Sequence, residues 1–327
     1  MATTMASDFQ IYEDQFIGGF IEAETQFTDA FNAASAGTIV NVSEMRRGDY
    51  VQESFFKKIS DVVTRRDTTS ISAATALKVE QGEMATVKLN RKIGPVDSTV
   101  DAFRKIQRDQ GENGQESLSF LLGSQIAKAI AVERLNQSIR AVVAAMTADV
   151  ANVEHAMGGN ISTAGLTYGL EKMGDAADRI KAWVMHSATY YTLVREQISA
   201  NVFEVGGFVV HQGTAVTLNR PVIITDSDQL ANDDSPTGKY VLGLTAGAVA
   251  TTDTETKDVV TDLVTGLENL VVRLQGEYAY NIGVKGFTWD IANGAANPTD
   301  AALATSTNWD KSVASHKDGP GSRIAVD

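Results

Sequence analysis

The sequence contains no cysteine and only five prolines in 327 residues. Without cysteine the chain has no disulfide bond, no thiolate nucleophile and no cysteine metal site, so its stability must come from packing and association. No run approaches the roughly 18 apolar residues that span a bilayer, and we expect no contact with a membrane. The first residues lack the basic start and apolar core of a secretory signal, which favours folding in the cytoplasm.

Motifs of the common enzyme classes are also missing. The sequence has no phosphate-binding loop, no paired-histidine zinc helix, no nucleophile elbow and no dinucleotide fingerprint. The four histidines are far apart in the chain, and the acidic loop at 226–234 lacks the spacing and the glycine of a calcium loop. We therefore expect no catalytic residue, no cofactor and no metal.

Two unusually long elements stand out. Apolar residues recur every three or four positions over 116–150, which predicts one helix of roughly 50 Å. Residues 270–285 alternate apolar and polar side chains, which predicts one strand that is also roughly 50 Å long. Elements of this length favour an extended subunit of an assembly over an enzyme with a cleft.

The N-terminal segment up to Glu44 contains seven acidic residues and neither Lys nor Arg. Phe16, Phe20 and Phe27 recur at steps of four and seven, so a helix there presents an aromatic stripe. The stripe packs either on its own domain or on another subunit, and the sequence leaves both alternatives open. We count these three phenylalanines as candidate intersubunit contacts.

The next segment is basic within an acidic chain. Residues 46–108 contain thirteen Lys and Arg against eight Asp and Glu, whereas the chain as a whole has a net charge of −13. Within it, residues 77–79 and 87–89 carry apolar side chains on either side of 81–83, which predicts a projecting polar β-hairpin. The charge belongs either to a solvated ribbon or to an extension that lies on an acidic neighbouring subunit. The candidate contacts here are Arg65, Arg66, Lys78 and Lys88.

The remaining pattern predicts an α+β fold with no regular βαβ repeat. We expect helices at 166–172, 188–198 and 301–304, a turn and short helix within 253–267, strands at 182–186, 208–211, 221–225 and 240–244, and a frayed end at 322–327.

In order along the chain, these features resemble the major capsid proteins of tailed bacteriophages, which have the Hong Kong 97-type fold. The resemblance covers nearly the whole chain and depends on the order of its parts. The segments that carry it are 48–56, the long helix, 182–187, 218–224 and 276–280.

The resemblance implies a capsid fold with a long spine helix, a peripheral domain, an axial domain, an extended β-hairpin loop and an N-terminal arm. The implied divisions are an arm at 1–45, the extended loop and its flanks at 46–105, the peripheral domain with the spine helix at 106–156, the axial domain at 157–266, and a peripheral return with the C-terminal tail at 267–327.

The implied function is assembly into hexamers and pentamers that form an icosahedral head enclosing double-stranded DNA. The implied partners are copies of the same chain, a scaffold protein, a portal protein, a possible decoration protein, and packaged DNA bound without sequence specificity. The expected location is the virion, after assembly in the host cytoplasm.

Three alternatives stay open at this point. The first is an encapsulin-like nanocompartment, which uses the same fold to enclose a cargo enzyme. The second is another virion component, such as a tail or decoration protein. The third is an enzyme with an unrecognised site, for which the sequence supplies no nucleophile, base and orienting group together.

Overall fold

The computed structural model describes residues 21, 32–33, 35–42, 48–57, 59, 62–66, 68–69, 71, 73, 76–99, 101, 114–200, 202–205, 208–211, 217–232, 238–255, 257–265 and 268–327. At 98, 114–122, 197–200, 202–205, 208–211 and 261 it describes the backbone alone.

The helices of this described part include the long one that the apolar periodicity predicts. They are α1 (Gly114–Ala148), α2 (Val150–Val153), α3 (Thr163–Met173), α4 (Ser187–Ala200), α5 (Ile291–Gly294) and α6 (Asp300–Ala304). Short 3-10 turns lie at Gly174–Arg179, Asp228–Leu230, Ser306–Asn308 and His316–Asp318. The prediction of one helix over 116–150 is confirmed, with both ends two residues earlier.

The strands outnumber the helices. They are β1 (Ile39–Val42), β2 (Tyr50–Phe56), β3 (Gln81–Thr99), β4 (Glu154–Ala156), β5 (Ile180–His186), β6 (Val202–Val205), β7 (Phe208–His211), β8 (Val222–Thr225), β9 (Lys239–Thr245), β10 (Val249–Asp253), β11 (Asp258–Val264), β12 (Val271–Val284), β13 (Phe287–Trp289), β14 (Trp309–Lys311) and β15 (Gly321–Val326). The predicted strand over 270–285 is therefore confirmed as β12, and the predicted strands at 182–186, 208–211, 221–225 and 240–244 correspond to β5, β7, β8 and β9.

The larger sheet has the order β1-β10-β12-β3-β2, with β11 paired to the other end of β12. Its long strands β3 and β12 run antiparallel, from the pair Val271 and Thr99 to the pair Ile282 and Val87. The second sheet has the order β4-β15-β9-β5-β8, and β6 with β7 and β13 with β14 form two-stranded sheets.

Helix α1 lies across one face of the larger sheet. Ile139, Val142 and Met146 of the helix share a buried cluster with Tyr280 and Ile282 of β12. These strand residues are two positions apart, so they lie on one face of β12, and the helix residues fall three or four apart on one stripe. The apolar stripe of α1 and the apolar face of β12, both predicted from the sequence, thus pack against each other.

A polar cluster fixes the helix to the sheet. The hydroxyl groups of Tyr278 and Tyr280 donate hydrogen bonds to the carboxylate of Glu133 on α1, at 3.1 Å and 2.9 Å. The guanidinium Nε of Arg91 on β3 lies 2.8 Å from Oε1 of the same carboxylate. Burial, and then the charge of Glu133, raise the pKa of both tyrosines, so their hydroxyl groups remain donors. The cluster holds one register between helix and strands.

Three expectations from the sequence are wrong. Residues 81–83 are not a hairpin turn, because β3 continues through them and pairs with β2. The glycine in this stretch, Gly82, lies against the ring of Phe55, where an added Cβ would be 2.7 Å from a ring atom. Gly82 marks a close side-chain approach across two strands, which the sequence alone does not distinguish from a turn.

The other two concern the last third of the chain. Residues 258–264 form strand β11 where a short helix was expected, because they pair with β12 from Asp258 opposite Glu277 to Val264 opposite Val271. Residues 322–327 are not frayed: β15 pairs with β4 on one side and β9 on the other, and its residues are buried. Both strands depend on partners distant in sequence.

The carboxylate of Asp300 on α6 gives a prediction for how the stability of the chain changes at acid pH. It accepts a hydrogen bond from Arg91 at 2.8 Å and lies 2.7 Å from Nη1 of Arg140. Burial acts to raise the pKa of Asp300, but the hydrogen bonds from Arg140 and Arg91 outweigh it and hold the pKa below its ordinary value of 3.8. A lowered folded-state pKa means that the stabilisation is complete above the ordinary value and is lost as the pH falls through the folded one.

We therefore expect Asp300→Asn to destabilise the chain at neutral pH and to lose this disadvantage progressively below pH 3.8. The measurement is the denaturant midpoint of both proteins over a series of pH values. Asp310→Asn, at an exposed position on β14, is the control. A constant difference between Asp300→Asn and the unmodified chain at every pH would contradict the prediction.

Candidate functional site

Two features of the described residues bear on chemistry, the placement of their titratable side chains and an open groove along α1. Within them, no group of three or more His, Cys, Asp or Glu side chains is placed to hold a metal ion. An open groove of about 470 Å³ runs along α1 beside Val132. Of its charged lining groups, Glu133 pairs with Arg91, and Arg140 pairs with Asp300, so these groups take part in the ion pairs that hold the helix in place. Lys128 also lines the groove.

None of the helices in the described ranges is both long and apolar enough to cross a membrane. Two surface segments that the chain does not bury on itself are the candidate sites of contact with other molecules.

The first such segment is the connection between β2 and β3, residues 57–80, which we call the ribbon. Strand β2 pairs with the first part of β3, from Tyr50 opposite Val87 to Phe56 opposite Gln81. The hairpin arms are thus β2 and β3, and the ribbon continues from their open end. Every residue of the ribbon whose side chain is described is exposed or only partly buried.

Large apolar side chains are exposed along the ribbon. Val63 is 93% exposed and Ile71 is fully exposed. Other large apolar side chains that are exposed on the ribbon or beside it are Phe56, Ile59, Val62, Leu77 and Val79. Isolated exposed apolar residues are ordinary, but a concentration of them on one projecting segment marks an interaction surface.

The predicted basic contacts divide into two groups. Arg65, Arg66 and Lys78 lie on the ribbon, are exposed, and form no ion pair with any residue that the structure describes. Lys88 lies outside the ribbon on β3, where its ammonium group forms an ion pair with Glu255. The three ribbon residues thus keep their charge available to another molecule, whereas Lys88 has a partner in its own chain, and its intersubunit role stays a prediction.

A second surface lies at the outer end of the larger sheet, where β11 pairs with β12 and β12 pairs with the last part of β3. Exposed apolar side chains occur there at Val96, Val260, Leu263 and Leu270. Among the described strands, β11 pairs only with β12, which places β11 at an edge of the larger sheet. An exposed edge strand with apolar side chains is a template for pairing with another chain.

Sequence reasoning missed this second surface because it assigned 253–267 to a turn and helix. The alternative signal was present: Val259, Val260, Leu263 and Val264 are β-branched or apolar residues around Thr261, which is typical of a strand. Phe16, Phe20 and Phe27 lie outside the described residues, so their role as contacts also stays a prediction.

Comparison with known protein families gives a match over nearly the whole chain. Residues 8–323 match the model of the Gp13-like family, described as Major capsid protein 13-like. No curated protein matches the chain.

Several solved structures share the fold at low sequence identity. A structure from Mycobacterium phage Cain has a TM-score of 0.51 and 12% identity, covering 90% of this chain and 89% of its own. A structure from Microbacterium phage Oxtober96 has a TM-score of 0.51 and 11% identity, covering 90% and 91%. The acidic stable capsid structure of Helicobacter pylori bacteriophage KHP30 has a TM-score of 0.50 and 9% identity, covering 89% and 88%.

Proposed function

Because this chain belongs to the major capsid protein 13-like family, the capsid proteins of tailed phages, we propose that its copies assemble into the hexamers and pentamers of an icosahedral head. The head encloses double-stranded DNA, and the chain works by association in place of catalysis. The observation that carries the proposal is the ribbon, which exposes apolar and basic side chains that its own chain leaves uncovered. A subunit of a closed shell has neighbours on all sides, and each such surface then has a partner.

The two exposed surfaces differ from each other, which favours head-to-tail contacts. The ribbon lies at one end of the larger sheet, and Val260 and Leu263 lie with β11 at the outer end. When one surface of a subunit binds a different surface of the next copy, the contacts generate rings if the rotation closes. Pentamers and hexamers are such rings.

The domains of the proposal follow the resemblance. Residues 106–156 with α1 form the peripheral domain and its spine, 46–105 the extended loop, and 157–266 the axial domain around the ring axes. Residues 1–45 form the arm, and 267–327 form the return and tail. The length of α1 and the pairing of β3 with β12 support a spine with an extended loop beside it. The sheets cross the proposed divisions, because β10 and β11 pair with β12 in the larger sheet and β15 joins the second sheet.

The proposed partners follow from the charge as well as from the shell. A net charge of −13 suits a wall that surrounds DNA without gripping its phosphates, since phosphate binding needs a basic face. DNA is then contained without sequence-specific contacts. A scaffold protein guides assembly in the host cytoplasm, a portal protein occupies one vertex, and a decoration protein binds the finished virion.

Electron microscopy of the chain, expressed alone and together with its neighbouring genes, tests this function. Closed polyhedral shells, or pentamers and hexamers that close when a scaffold is supplied, support it. Shells that copurify with a cargo enzyme would instead indicate a nanocompartment, and tubes or open rings would indicate a tail component. Monomers or dimers under every condition would overturn the proposal.

The ribbon gives a second test, in two variants. We expect Arg65→Glu with Arg66→Glu, and separately Ile71→Asp, to lower the yield of closed shells several-fold, because each places a charge where the neighbouring copy makes its contact. Yield is measured by sedimentation and microscopy.

The control carries the same change of charge outside the ribbon: Lys181→Glu with Arg195→Glu, both exposed. Circular dichroism establishes that all variants fold. If the ribbon variants give the same yield of closed shells as the unmodified chain, the ribbon has no intersubunit role.

A further inference from the structure

The sequence contains two Asn-Gly pairs, and one of them closes a helix. Asn293 and Gly294 are the last two residues of α5, and the other pair is Asn113 with Gly114. In such a pair the backbone nitrogen of the glycine can attack the side-chain carbonyl carbon of the asparagine, and glycine hinders this attack least because it has no side chain. Asn293 is exposed, so water reaches its carboxamide. The pair is therefore a chemically labile point of the chain.

Packing requires the glycine of this pair. An added Cβ at Gly294 would lie 2.2 Å from a ring atom of Trp289. Trp289 is 2% exposed, and its ring centre lies 5.1 Å from that of Trp309. Its indole N–H donates to the carbonyl of Ala295 at 3.1 Å. A side chain at position 294 would displace this ring from the core, so the fold keeps the labile pair.

Asp290, the N-cap residue of α5, holds both groups that would react. Its backbone carbonyl accepts the N–H of Gly294 at 2.8 Å, which engages the proton that the attacking nitrogen must lose. One oxygen of its carboxylate accepts the side-chain N–H of Asn293. The other accepts the backbone N–H groups of Ala292 and Asn293, at 2.8 Å and 3.2 Å. The carboxamide and the backbone nitrogen are thus held by the same residue.

These contacts persist at neutral pH. The hydrogen bond from the backbone of Asn293 is the main cause that holds the pKa of Asp290 below its ordinary value of 3.8, so the carboxylate stays charged. The helical backbone at Asn293 adds a second protection. Attack requires the reacting atoms to be in contact and aligned, and the backbone must leave the helical conformation to bring the nitrogen of Gly294 in line with Cγ.

We propose that Asn293 is a site of deamidation, with water as the co-reactant, which Asp290 keeps latent in the folded chain. The modification follows when α5 opens locally. Asp290 is a positioning residue, because it takes no part in the bonds that form and break. The inference goes beyond the proposed function and does not depend on assembly into shells.

The reaction consumes one water molecule and releases one ammonia molecule. The nitrogen of Gly294 gives its proton to solvent hydroxide and attacks Cγ of Asn293. The bond from Cγ to Nδ2 breaks, and Nδ2 takes a proton from water and leaves as ammonia, which regenerates hydroxide and forms a succinimide ring. Water then opens the ring at either carbonyl to give aspartate or isoaspartate. The product carries a carboxylate beside Asp290 where the amide donor was, so the change weakens the cap and is not reversed.

Incubation of the purified full chain at mildly alkaline pH, folded and in denaturant, tests the site. Proteolysis with tandem mass spectrometry measures the converted fraction of Asn293, with Asn113 as the reference in the denatured chain. We expect Asn293 to convert at least about ten-fold more slowly in the folded chain than in denaturant, because the reaction awaits local opening. Equal rates in the two states would overturn the proposal. So would an unreactive Asn293 in denaturant where Asn113 converts.

Variants of Asp290 test the positioning role. We expect Asp290→Ala to speed the conversion of Asn293 in the folded chain about five-fold, the factor by which loss of a helix cap favours local opening. Asp290→Ser keeps a capping oxygen and should stay within about two-fold of the unmodified rate. Asp310→Ala, which removes an exposed carboxylate from β14, is the control and should leave the rate unchanged.

Circular dichroism establishes that these variants fold. Conversion in Asp290→Ala at the unmodified rate, or equal acceleration by Asp290→Ala and Asp290→Ser, would overturn the role of the cap. The comparison of folded and denatured chain needs no variant, so it tests the site even if Asp290→Ala does not fold.

Discussion

Replacing Arg323 with methionine is expected to lower the free energy of unfolding by about 3–5 kcal/mol, the usual cost of removing one partner from a buried ion pair. Arg323 is 2% exposed in the middle of the second sheet and forms an ion pair with Glu154 of the adjacent strand β4. It also donates to Thr147 of α1 at 2.7 Å, and its guanidinium lies 4.2 Å from the centre of the Tyr240 ring. The substitution leaves a carboxylate without its counter-charge.

The cost should depend on the orphaned carboxylate more than on the lost contacts. Adding Glu154→Leu to Arg323→Met is therefore expected to recover a large part of the loss, because exchanging both members of a buried pair for apolar residues is often close to neutral. Denaturant unfolding of the unassembled chain measures both values.

Arg179→Met is the matched control. Arg179 pairs with Asp318 at 2.7 Å, but both side chains are well exposed, so we expect a loss below about 1 kcal/mol. Equal losses for Arg179→Met and Arg323→Met would contradict the account of the buried pair.

Arg323 also illustrates the limit of reading this sequence. A charged residue close to the end of the chain resembles a solvated tail, and nothing nearby in sequence indicates that it is buried. Its burial depends on β4, β9 and the end of α1, which lie between 80 and 180 positions earlier. Pairing across such distances has no local signature, and this is why the end of the chain was expected to fray.

The same dependence on distant partners separates the wrong predictions of secondary structure from the correct ones. The periodicities of α1 and β12 are local, and both elements were predicted to within a few residues. Strand β11 and the pairing of β2 with β3 depend on partners farther away in the sequence. The sequence predicts a short helix where β11 lies, and a hairpin that turns at 81–83 where β3 continues and pairs with β2.

The candidate surfaces were predicted in part. The sequence identified the ribbon as projecting and basic, and Arg65 and Arg66 lie there in the open. Its apolar character was not anticipated, because Val63 and Ile71 resemble ordinary strand residues until the structure places them on a segment without a covering layer. Exposure is a property of the whole fold, so no local pattern reports it.

Trp183→Ala is expected to cost about 3–5 kcal/mol of unfolding free energy, the range for removing a large aromatic side chain from a packed core. Trp183 on β5 is fully buried, and its ring fills the space left by two glycines. An added Cβ at Gly243 of β9 would lie 2.7 Å from the ring, and one at Gly169 of α3 would lie 3.3 Å from it. Because the ring fits these two backbones so closely, its removal leaves a cavity that the rigid strands cannot close.

Two further substitutions test this reasoning. Trp183→Phe should cost clearly less than Trp183→Ala, because most of the ring remains and the indole nitrogen has no hydrogen-bond partner among the described residues to lose. Tyr191→Ala, at an exposed position on α4, should change stability by no more than about 0.5 kcal/mol. Denaturant unfolding ranks the three variants, and a loss for Trp183→Ala no larger than that for Tyr191→Ala would show that β5 does not anchor the second sheet.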